Sequence, residues 1–255
     1  LLIGIGFWIY FTQAIAPEIN YITKTTQRGQ RATITLSDGS IVRLNAESSI
    51  TFPESFAQLE TRDIQLIGEA FFDVARNESK PFKIKSGELL TTVLGTSFNI
   101  NAYPEKESIA VTVATGKVRV EASDQQSINE GYSEPALSTD RLVEEEVLIP
   151  GQQAVFDKQT LNITKSEINL DKYLAWEKGI ILMDNVTLEK ATEILSRWYG
   201  ATFSFENEAI KGCSIDGEFK NDRLTNILDN IKVLMDIDYQ IKPDNKIIIT
   251  GNSCN

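Results

Sequence analysis

Two runs of alternating apolar residues, each interrupted by a glycine, constrain the fold of this chain more than any other feature. The first run surrounds Gly68 and the second surrounds Gly95. Their apolar positions are, in order, Ile64, Leu66, Ala70, Phe72 and Val74, then Leu90, Leu94, Phe98, Ile100 and Ala102. Side chains two positions apart lie on one face of a β-strand, so both runs predict strands with one buried face. A glycine within such a run is typical of a bulge or a corner. The runs therefore predict the core of a β-sheet protein.

The charge and the residue types exclude several functional classes. The 255 residues contain no histidine and carry a formal net charge of −11. Without histidine, the chain lacks the usual general base and the commonest zinc ligand. A net negative charge without a basic stripe does not suit a nucleic-acid binder, because phosphates need cations. A Ser-Lys or two-carboxylate mechanism remains possible without histidine. We nevertheless expect no catalytic residues, no cofactor, no metal site and no nucleic-acid partner.

The first residues form an uncharged apolar stretch, Leu1–Phe11, whose apolar character weakens towards Ala16. A full membrane span needs about 20 residues. We interpret residues 1–16 as the remnant of a transmembrane anchor. A signal-peptide remnant with Ala14 and Ala16 at a cleavage site is one alternative, and a buried helix is another. The first two interpretations place the remaining residues outside the cytoplasm.

Short strands with turn signals between them follow from Gln30 to Asp157. One turn is Ser37–Ser40, which predicts a hairpin, and another is Pro150-Gly151. This spacing, without a long helix, predicts an all-β sandwich or barrel-like domain over residues 17–165.

The pattern changes after a predicted linker at residues 166–178. Two amphipathic helices, each followed by a strand, are predicted within residues 179–251. The first is capped within Asp184–Thr187 and ends at Gly200, and the second is capped at Asn221 or Asp222. Six apolar residues of the first half recur 36 positions later, which indicates a duplicated strand-helix-strand unit. The pairs are Leu188 and Leu224, Ala191 and Ile227, Leu195 and Ile231, Trp198 and Leu234, Phe203 and Tyr239, and Phe205 and Ile241.

Several stretches resemble the periplasmic region of FecR-type anti-sigma factors, the transmembrane sensors of the iron-dicitrate type. They are TLSDGSIVRLNAESSITFP (35–53), RDIQLIGEAFFDV (62–74), KPFKI (80–84), VLGTSFNINAY (93–103) and LIPGQQAVF (148–156). The segment 176–251 is similar to the C-terminal domain of FecR proteins of the Bacteroidetes type, and to the short N-terminal domain of secretins and TonB-dependent transporters.

This resemblance implies a sensor without enzymatic activity. It implies a single pass through the inner membrane, with this region in the periplasm. The implied partner is the periplasmic signalling domain of a TonB-dependent outer-membrane transporter. An extracytoplasmic-function sigma factor would be bound only through a cytoplasmic domain that precedes the span and is missing from this sequence.

Three local hypotheses concern binding or catalysis. An edge strand can be extended by a partner's strand, so we expect a partner at Lys246, Ile247, Ile248, Ile249 and Thr250, if this is an edge strand and not an interior one. A carboxylate pair such as Glu69 and Asp73 would be needed by a glycosidase. We expect Glu69 to be a corner residue and Asp73 a solvent-facing one, on opposite sides of the bend at Gly68. The alternative function is an extracytoplasmic carbohydrate-binding or adhesive β module, with Trp176 and Trp198 stacking on sugars, although packing in the core is favoured for both.

Two further features stay open. Residues 121–150 hold eight acidic side chains and one arginine, which indicates a solvated insertion more than a calcium loop. Cys213 and Cys254 are the only cysteines, and they either form one disulfide or are two unrelated thiols.

Overall fold

The computed structural model describes residues 19–122 and 144–252. The apolar segment 1–16, most of the acidic insertion and Cys254 lie outside these residues, so the predictions about them remain predictions. Within the described ranges, no helix has both the length and the apolar character that a membrane crossing requires.

The described residues up to 167 form thirteen strands. They are β1 (Tyr21–Thr25), β2 (Ala32–Thr35), β3 (Ile41–Leu44), β4 (Ser49–Pro53), β5 (Arg62–Asp73), β6 (Phe82–Ser86), β7 (Leu89–Val93), β8 (Ser97–Ala102), β9 (Ser108–Val113), β10 (Val118–Ala122), β11 (Glu145–Leu148), β12 (Gln152–Asp157) and β13 (Ile163–Glu167). The first layer has the order β1-β4-β5-β6-β7-β10-β11, and the second has the order β2-β3-β5-β8-β9-β12-β13. The predicted all-β, barrel-like architecture is confirmed. The edge strands β1 and β13 were not predicted, because each has mostly exposed residues and little apolar alternation.

Strand β5 belongs to both layers and turns the corner between them at Gly68. Its first half pairs with β4 and β6, and its second half pairs with β3 and β8. Gly68 has φ +90°, and a Cβ atom there would lie 2.8 Å from the Cα atom of Ser48. Only glycine accommodates this conformation next to the backbone of a neighbouring strand. The predicted corner is therefore confirmed.

The two layers bury one apolar core between them. Phe72 from the second layer stacks on Phe98, with ring centroids 5.2 Å apart, and meets Phe82 of the first layer edge-on at 6.5 Å. The apolar face of β7 differs from the predicted one, because Leu89 and Val93 are buried while Leu94 is 42% exposed. The alternation shifts by one position at Gly95, where the chain passes from one layer to the other.

The second part of the chain folds around a separate core and contains both helices and strands. Its elements are α1 (Leu170–Tyr173), a 3₁₀ turn (Ala175–Lys178), β14 (Ile180–Thr187), α2 (Leu188–Tyr199), β15 (Thr202–Phe205), a 3₁₀ turn (Glu208–Ile210), β16 (Ser214–Lys220), α3 (Leu224–Met235), β17 (Asp238–Lys242), a 3₁₀ turn (Pro243–Asn245) and β18 (Lys246–Thr250). We call residues 19–167 the sandwich and residues 180–250 the α+β unit.

The duplicated strand-helix-strand unit is present. Helices α2 and α3 begin at Leu188 and Leu224, 36 positions apart, and both have 12 residues. The first strands of the two repeats, β14 and β16, pair with each other, and the second strands, β15 and β17, flank β18.

Helix ends and burial match the predictions in part. Helix α2 is capped by the Thr187 side chain and ends at Gly200 in the left-handed conformation. Helix α3 begins after Arg223, without a side-chain cap, so the predicted cap at Asn221 or Asp222 is wrong. Leu234, predicted to face inward, is 65% exposed, because Met235 takes the buried position at the helix end. Cys213 is buried and disulfide-bonded.

Candidate functional site: the interface between the sandwich and the α+β unit

The predicted partner strand, β18, is not an edge strand. It pairs in parallel with β15 on one side and antiparallel with β17 on the other. Ile247 and Ile249 are buried in the core of the unit. The backbone groups of Lys246–Thr250 are therefore used within the sheet, and the premise of strand addition at these residues is wrong. The free edges of this sheet belong to β15 and β17.

A polar contact surface lies where the outer face of the second layer meets the rest of the chain. Asn99, Thr112 and Gln153 stand side by side on β8, β9 and β12, because the register pairs Asn99 with Thr112 and Thr112 with Gln153. All three are at most 5% exposed, although they lie on the face opposite the apolar core. Polar residues on the outer face of a sheet are ordinarily solvated, so their burial shows that the rest of the chain covers this face.

A chain of hydrogen bonds runs through Glu69 from the sandwich to Trp176, which lies in the 3₁₀ turn before the α+β unit. The carboxylate of Glu69 accepts from Asn45 Nδ2 at 2.8 Å and from Asn99 Nδ2 at 3.0 Å. The Asn99 Oδ1 atom accepts from the indole Nε1 of Trp176 at 3.2 Å. Glu69 is thus a buried strand residue whose charge is compensated by amide donors, and not the predicted corner residue.

The two carboxylates considered for catalysis do not form a pair. Asp73 is exposed, as predicted, and accepts from Ser97 Oγ at 2.9 Å. It lies on the same face of β5 as Glu69, and not on the opposite side, because the bend at Gly68 precedes both residues. Four residues of extended strand separate them by about 13 Å, which exceeds the spacing of about 5–9.5 Å used by glycosidases.

Arg197 on α2 makes several contacts across the interface. Its guanidinium group lies 3.2 Å from Glu47 Oε2, 2.7 Å from Glu105 Oε1 and 4.0 Å from the Tyr103 ring centroid. Its backbone carbonyl accepts from the N–H of Gly29 at 2.8 Å. One side chain and its backbone therefore contact three loops of the sandwich.

Arg31 of the sandwich contacts the same helix, α2, through Trp198. Its guanidinium lies 3.6 Å from the ring centroid of Trp198 on α2. Burial lowers the pKa of Arg31 from its ordinary value, while Tyr103 and Glu69 oppose this change. Close to this contact, Gly200 brings its backbone against the carbonyl of Arg28, where a Cβ atom would lie 3.3 Å from that oxygen.

Burial at the interface shifts the pKa of two side chains, Tyr103 and Lys106. Burial, followed by the nearby charge of Glu69, raises the pKa of Tyr103, whose hydroxyl donates to the Ala46 carbonyl at 2.8 Å. Burial also lowers the pKa of Lys106, whose ammonium donates to Asn101 Oδ1 at 3.0 Å. Interactions between charges are stronger in such surroundings, so this set of contacts can hold two units in one arrangement.

The described residues of the site provide polar, charged and aromatic contacts. Within the described ranges, no three acidic or cysteine side chains converge as metal ligands. Trp176 and Trp198, considered for sugar stacking, border one cleft in the interface with Glu69. The structure thus brings together three residues that the sequence analysis considered separately.

Sequence reasoning missed the interface residues Arg31, Glu47, Tyr103 and Arg197. A signal was present in β8, where the outward positions of the FNINA stretch (98–102) carry uncharged amides in place of lysine or glutamate. Amides on the outer face of a strand are an indication that the face is covered.

Comparisons with known proteins agree with this architecture. The model of the FecR protein family matches residues 22–119, and that of the FecR C-terminal domain matches residues 180–249. A crystal structure of a candidate anti-sigma factor from Parabacteroides distasonis ATCC 8503, at 2.50 Å resolution, is 28% identical with a TM-score of 0.73, covering 92% of this chain and all of the other. A second structure with that description, at 1.65 Å, is 28% identical with a TM-score of 0.72, covering 91% and 100%. No curated protein matches. The first matched segment lies within the sandwich and the second lies within the α+β unit, and the chain belongs to the FecR family of anti-sigma factors.

Proposed function

We propose that this chain is the periplasmic sensor of a transmembrane anti-sigma factor regulator. It receives a signal from the periplasmic signalling domain of a TonB-dependent outer-membrane transporter. It relays that signal through a single inner-membrane span to an extracytoplasmic-function sigma factor, which a cytoplasmic domain would bind. The observation that carries this proposal is the match of both parts of the chain to FecR family segments.

The α+β unit is the better candidate for the partner surface, because its sheet has accessible edges. Four of the five residues of β17 are exposed. The same repeat also exposes Val233 by 83% and Leu234 by 65% on α3, which is unusual for large apolar residues. We therefore place the partner's strand along β17, next to the predicted strand Lys246–Thr250, and not on that strand itself.

The relay would pass through the contacts of Arg197. They connect α2 to the loop at Gly29, and this loop directly follows β1, the described strand nearest to the apolar N-terminal segment. A partner that shifts the α+β unit would therefore also change the position of β1. The coupling supports a conformational relay without any chemical step.

Proline scanning of β17 tests the partner surface. Successive backbone N–H groups of a strand point to opposite sides, so one of Gln240 and Ile241 donates to β18 and the other points outward. We expect Gln240→Pro and Ile241→Pro to differ: one destabilises the fold, and the other keeps the fold and loses the partner. The measurement is co-purification with the transporter's signalling domain, with circular dichroism as the check on folding.

The matched control is the other edge strand. Phe203→Pro and Ser204→Pro apply the same logic to β15, which also lies at an edge. If a folded β17 variant still binds while a folded β15 variant does not, β17 is the wrong edge. If no transporter signalling domain binds the unsubstituted chain, the proposed function fails as a whole.

A further inference from the structure

A cleft of about 470 Å³ lies between the sandwich and the α+β unit. One wall is the outer face of β8, β9 and β12, and the other is formed by α1, the 3₁₀ turn after it, β14 and α2. Its size falls within the range of about 300–1,000 Å³ that is typical of small-molecule sites. The partner surface proposed on β17 does not border it.

The sandwich wall carries hydrogen-bonding groups with unused capacity. Gln153 is 95% buried and donates through Nε2 to Thr112 Oγ1 at 2.8 Å, while its Oε1 accepts from no described residue. The Oδ1 atom of Asn101 accepts from Lys106, and its Nδ2 donates to no described residue. The Ser108 hydroxyl also has no hydrogen bond within the described ranges. A buried amide with an open acceptor that lines a cleft is well placed to bind a ligand's hydroxyl group.

The opposite wall carries three aromatic side chains, Tyr173, Trp176 and Trp198. The ring of Trp176 is held by its hydrogen bond to Asn99, which also lines the cleft, and the ring of Trp198 is held by Arg31 on one face. Aromatic rings held in one orientation offer flat apolar surface at little entropic cost. One side of the cleft is therefore aromatic and the other is rich in amides.

The charges around the cleft do not favour an anion. The Glu69 carboxylate is compensated by the amides of Asn45 and Asn99, and Lys172 forms an ion pair with Asp184. Lys106 is the other described cation that lines the cleft, and its ammonium already donates a hydrogen bond to Asn101 Oδ1. A phosphate-rich or carboxylate-rich ligand is ordinarily held by several cations or arginine forks. A neutral ligand with many hydroxyl groups suits this lining better.

We propose that this cleft binds a neutral saccharide of one or two rings. The apolar face of the sugar ring lies against the aromatic wall. Its hydroxyl groups donate to Gln153 Oε1 and accept from Asn101 Nδ2 and Lys106. Because the walls belong to different parts of the chain, a bound saccharide bridges them and stabilises their arrangement against separation. Such a site would give the sensor a second input, independent of the transporter.

Binding is tested on the full chain by titration calorimetry and by tryptophan fluorescence. The probes are glucose, galactose, mannose, xylose, N-acetylglucosamine, maltose, cellobiose and lactose, with citrate and phosphate as anionic comparisons. We expect at least one of the sugars to bind saturably with Kd below about 1 mM, corresponding to about −4 kcal/mol. Gln153→Ala and Trp176→Phe are expected to weaken that binding at least tenfold.

The matched control is Gln65→Ala, a glutamine on the exposed outer face of the first layer, which should leave binding unchanged. The proposal is overturned if no probe sugar binds saturably up to about 10 mM, or if only citrate or phosphate binds. It is also overturned if both cleft variants, shown to be folded by circular dichroism, bind as tightly as the unsubstituted chain. Loss of binding in Gln65→Ala would likewise contradict a site in this cleft.

Discussion

At the scale of single residues, Arg62 is a fully buried cation of the sandwich. Arg62 is 1% exposed and donates to Asp38 Oδ2 at 2.6 Å, to the Lys80 carbonyl at 2.9 Å and to the Ala75 carbonyl at 2.9 Å. Its guanidinium also lies 5.1 Å from the ring centroid of Phe82. The predicted Ser37–Ser40 hairpin turn supplies the counter-ion, so this turn both joins β2 to β3 and neutralises a buried charge.

Removing that counter-ion should strongly destabilise the fold. Asp38→Ala leaves the charge of Arg62 buried without compensation, and we expect a loss of about 3–5 kcal/mol in the free energy of unfolding. Urea denaturation followed by circular dichroism measures it. The control is Glu78→Ala, whose partner Arg76 is 75% exposed, where a loss of no more than about 1 kcal/mol is expected. Similar losses for the two variants would show that the buried pair contributes no more than a surface pair.

At the scale of elements, the bent strand β5 holds the two layers together. It pairs with four strands, two in each layer, and its corner depends on Gly68. The side chain of Ser48 fills the space beside this glycine and donates to the Ala46 carbonyl at 3.0 Å. Ser48 therefore packs against the corner at Gly68 and supports the bend of the strand.

Gly68→Ala should cost more than an ordinary glycine substitution. The added Cβ atom meets the Ser48 backbone, which cannot move without disturbing β4. We therefore expect strain and overpacking to lower the free energy of unfolding by about 2–4 kcal/mol. Gly39→Ala is the matched control, because Gly39 has φ +86° but nothing within 4 Å of the added atom. Gly39→Ala should lower the free energy of unfolding by about 1–2 kcal/mol, which is the cost of the left-handed backbone conformation alone. Equal losses in thermal denaturation would contradict a steric role for Ser48.

The elements were more predictable from sequence than the site. Local alternation predicted the strands around Gly68, and constant spacing predicted the repeat of α2 and α3, because both signals depend on neighbours in sequence. The position of β18 in the middle of its sheet depends instead on pairing with β15, more than 40 residues away in the chain. The row of Asn99, Thr112 and Gln153 likewise forms only when three separate strands align in register. Neither could be derived from a local pattern.

At the scale of the whole molecule, the division into two units remains a prediction that the two cores support. One core consists of sandwich residues and the other consists of residues between Ile181 and Ile249. The predicted linker, 166–178, is largely folded, since it contains the end of β13, helix α1 and a 3₁₀ turn. Lys178 and Asp171 form an ion pair within it, and Arg43 of the sandwich lies 3.3 Å from Glu177. The connection therefore restrains the two units and does not leave them independent.

Arg197→Ala should loosen this arrangement without unfolding either core. Arg197 is 19% exposed and contacts Glu47, Glu105 and Tyr103 across the interface, but its side chain supports no contact within the core of the α+β unit. One partly buried ion pair, one ion pair with the exposed Glu105 and one cation–π contact give an expected loss of about 1–3 kcal/mol in the coupling between the units. We expect one thermal transition to split or broaden, and proteolysis to begin within residues 168–179. Lys190→Ala is the control on the same helix, since Lys190 forms an ion pair with the exposed Glu193 and with no residue among those described in the sandwich.

The same variant distinguishes a rigid relay from a flexible tether. If the signal travels through Arg197 to the loop at Gly29, a full-length regulator carrying Arg197→Ala should still bind its transporter but respond more weakly in a sigma-dependent reporter. A flexible tether would transmit by recruitment alone, and the response would then be unchanged despite the loosened interface. Because the substitution lies far from β17 in the repeat, transporter binding serves as its internal check. An unchanged response together with a demonstrably loosened interface would rule out the rigid relay.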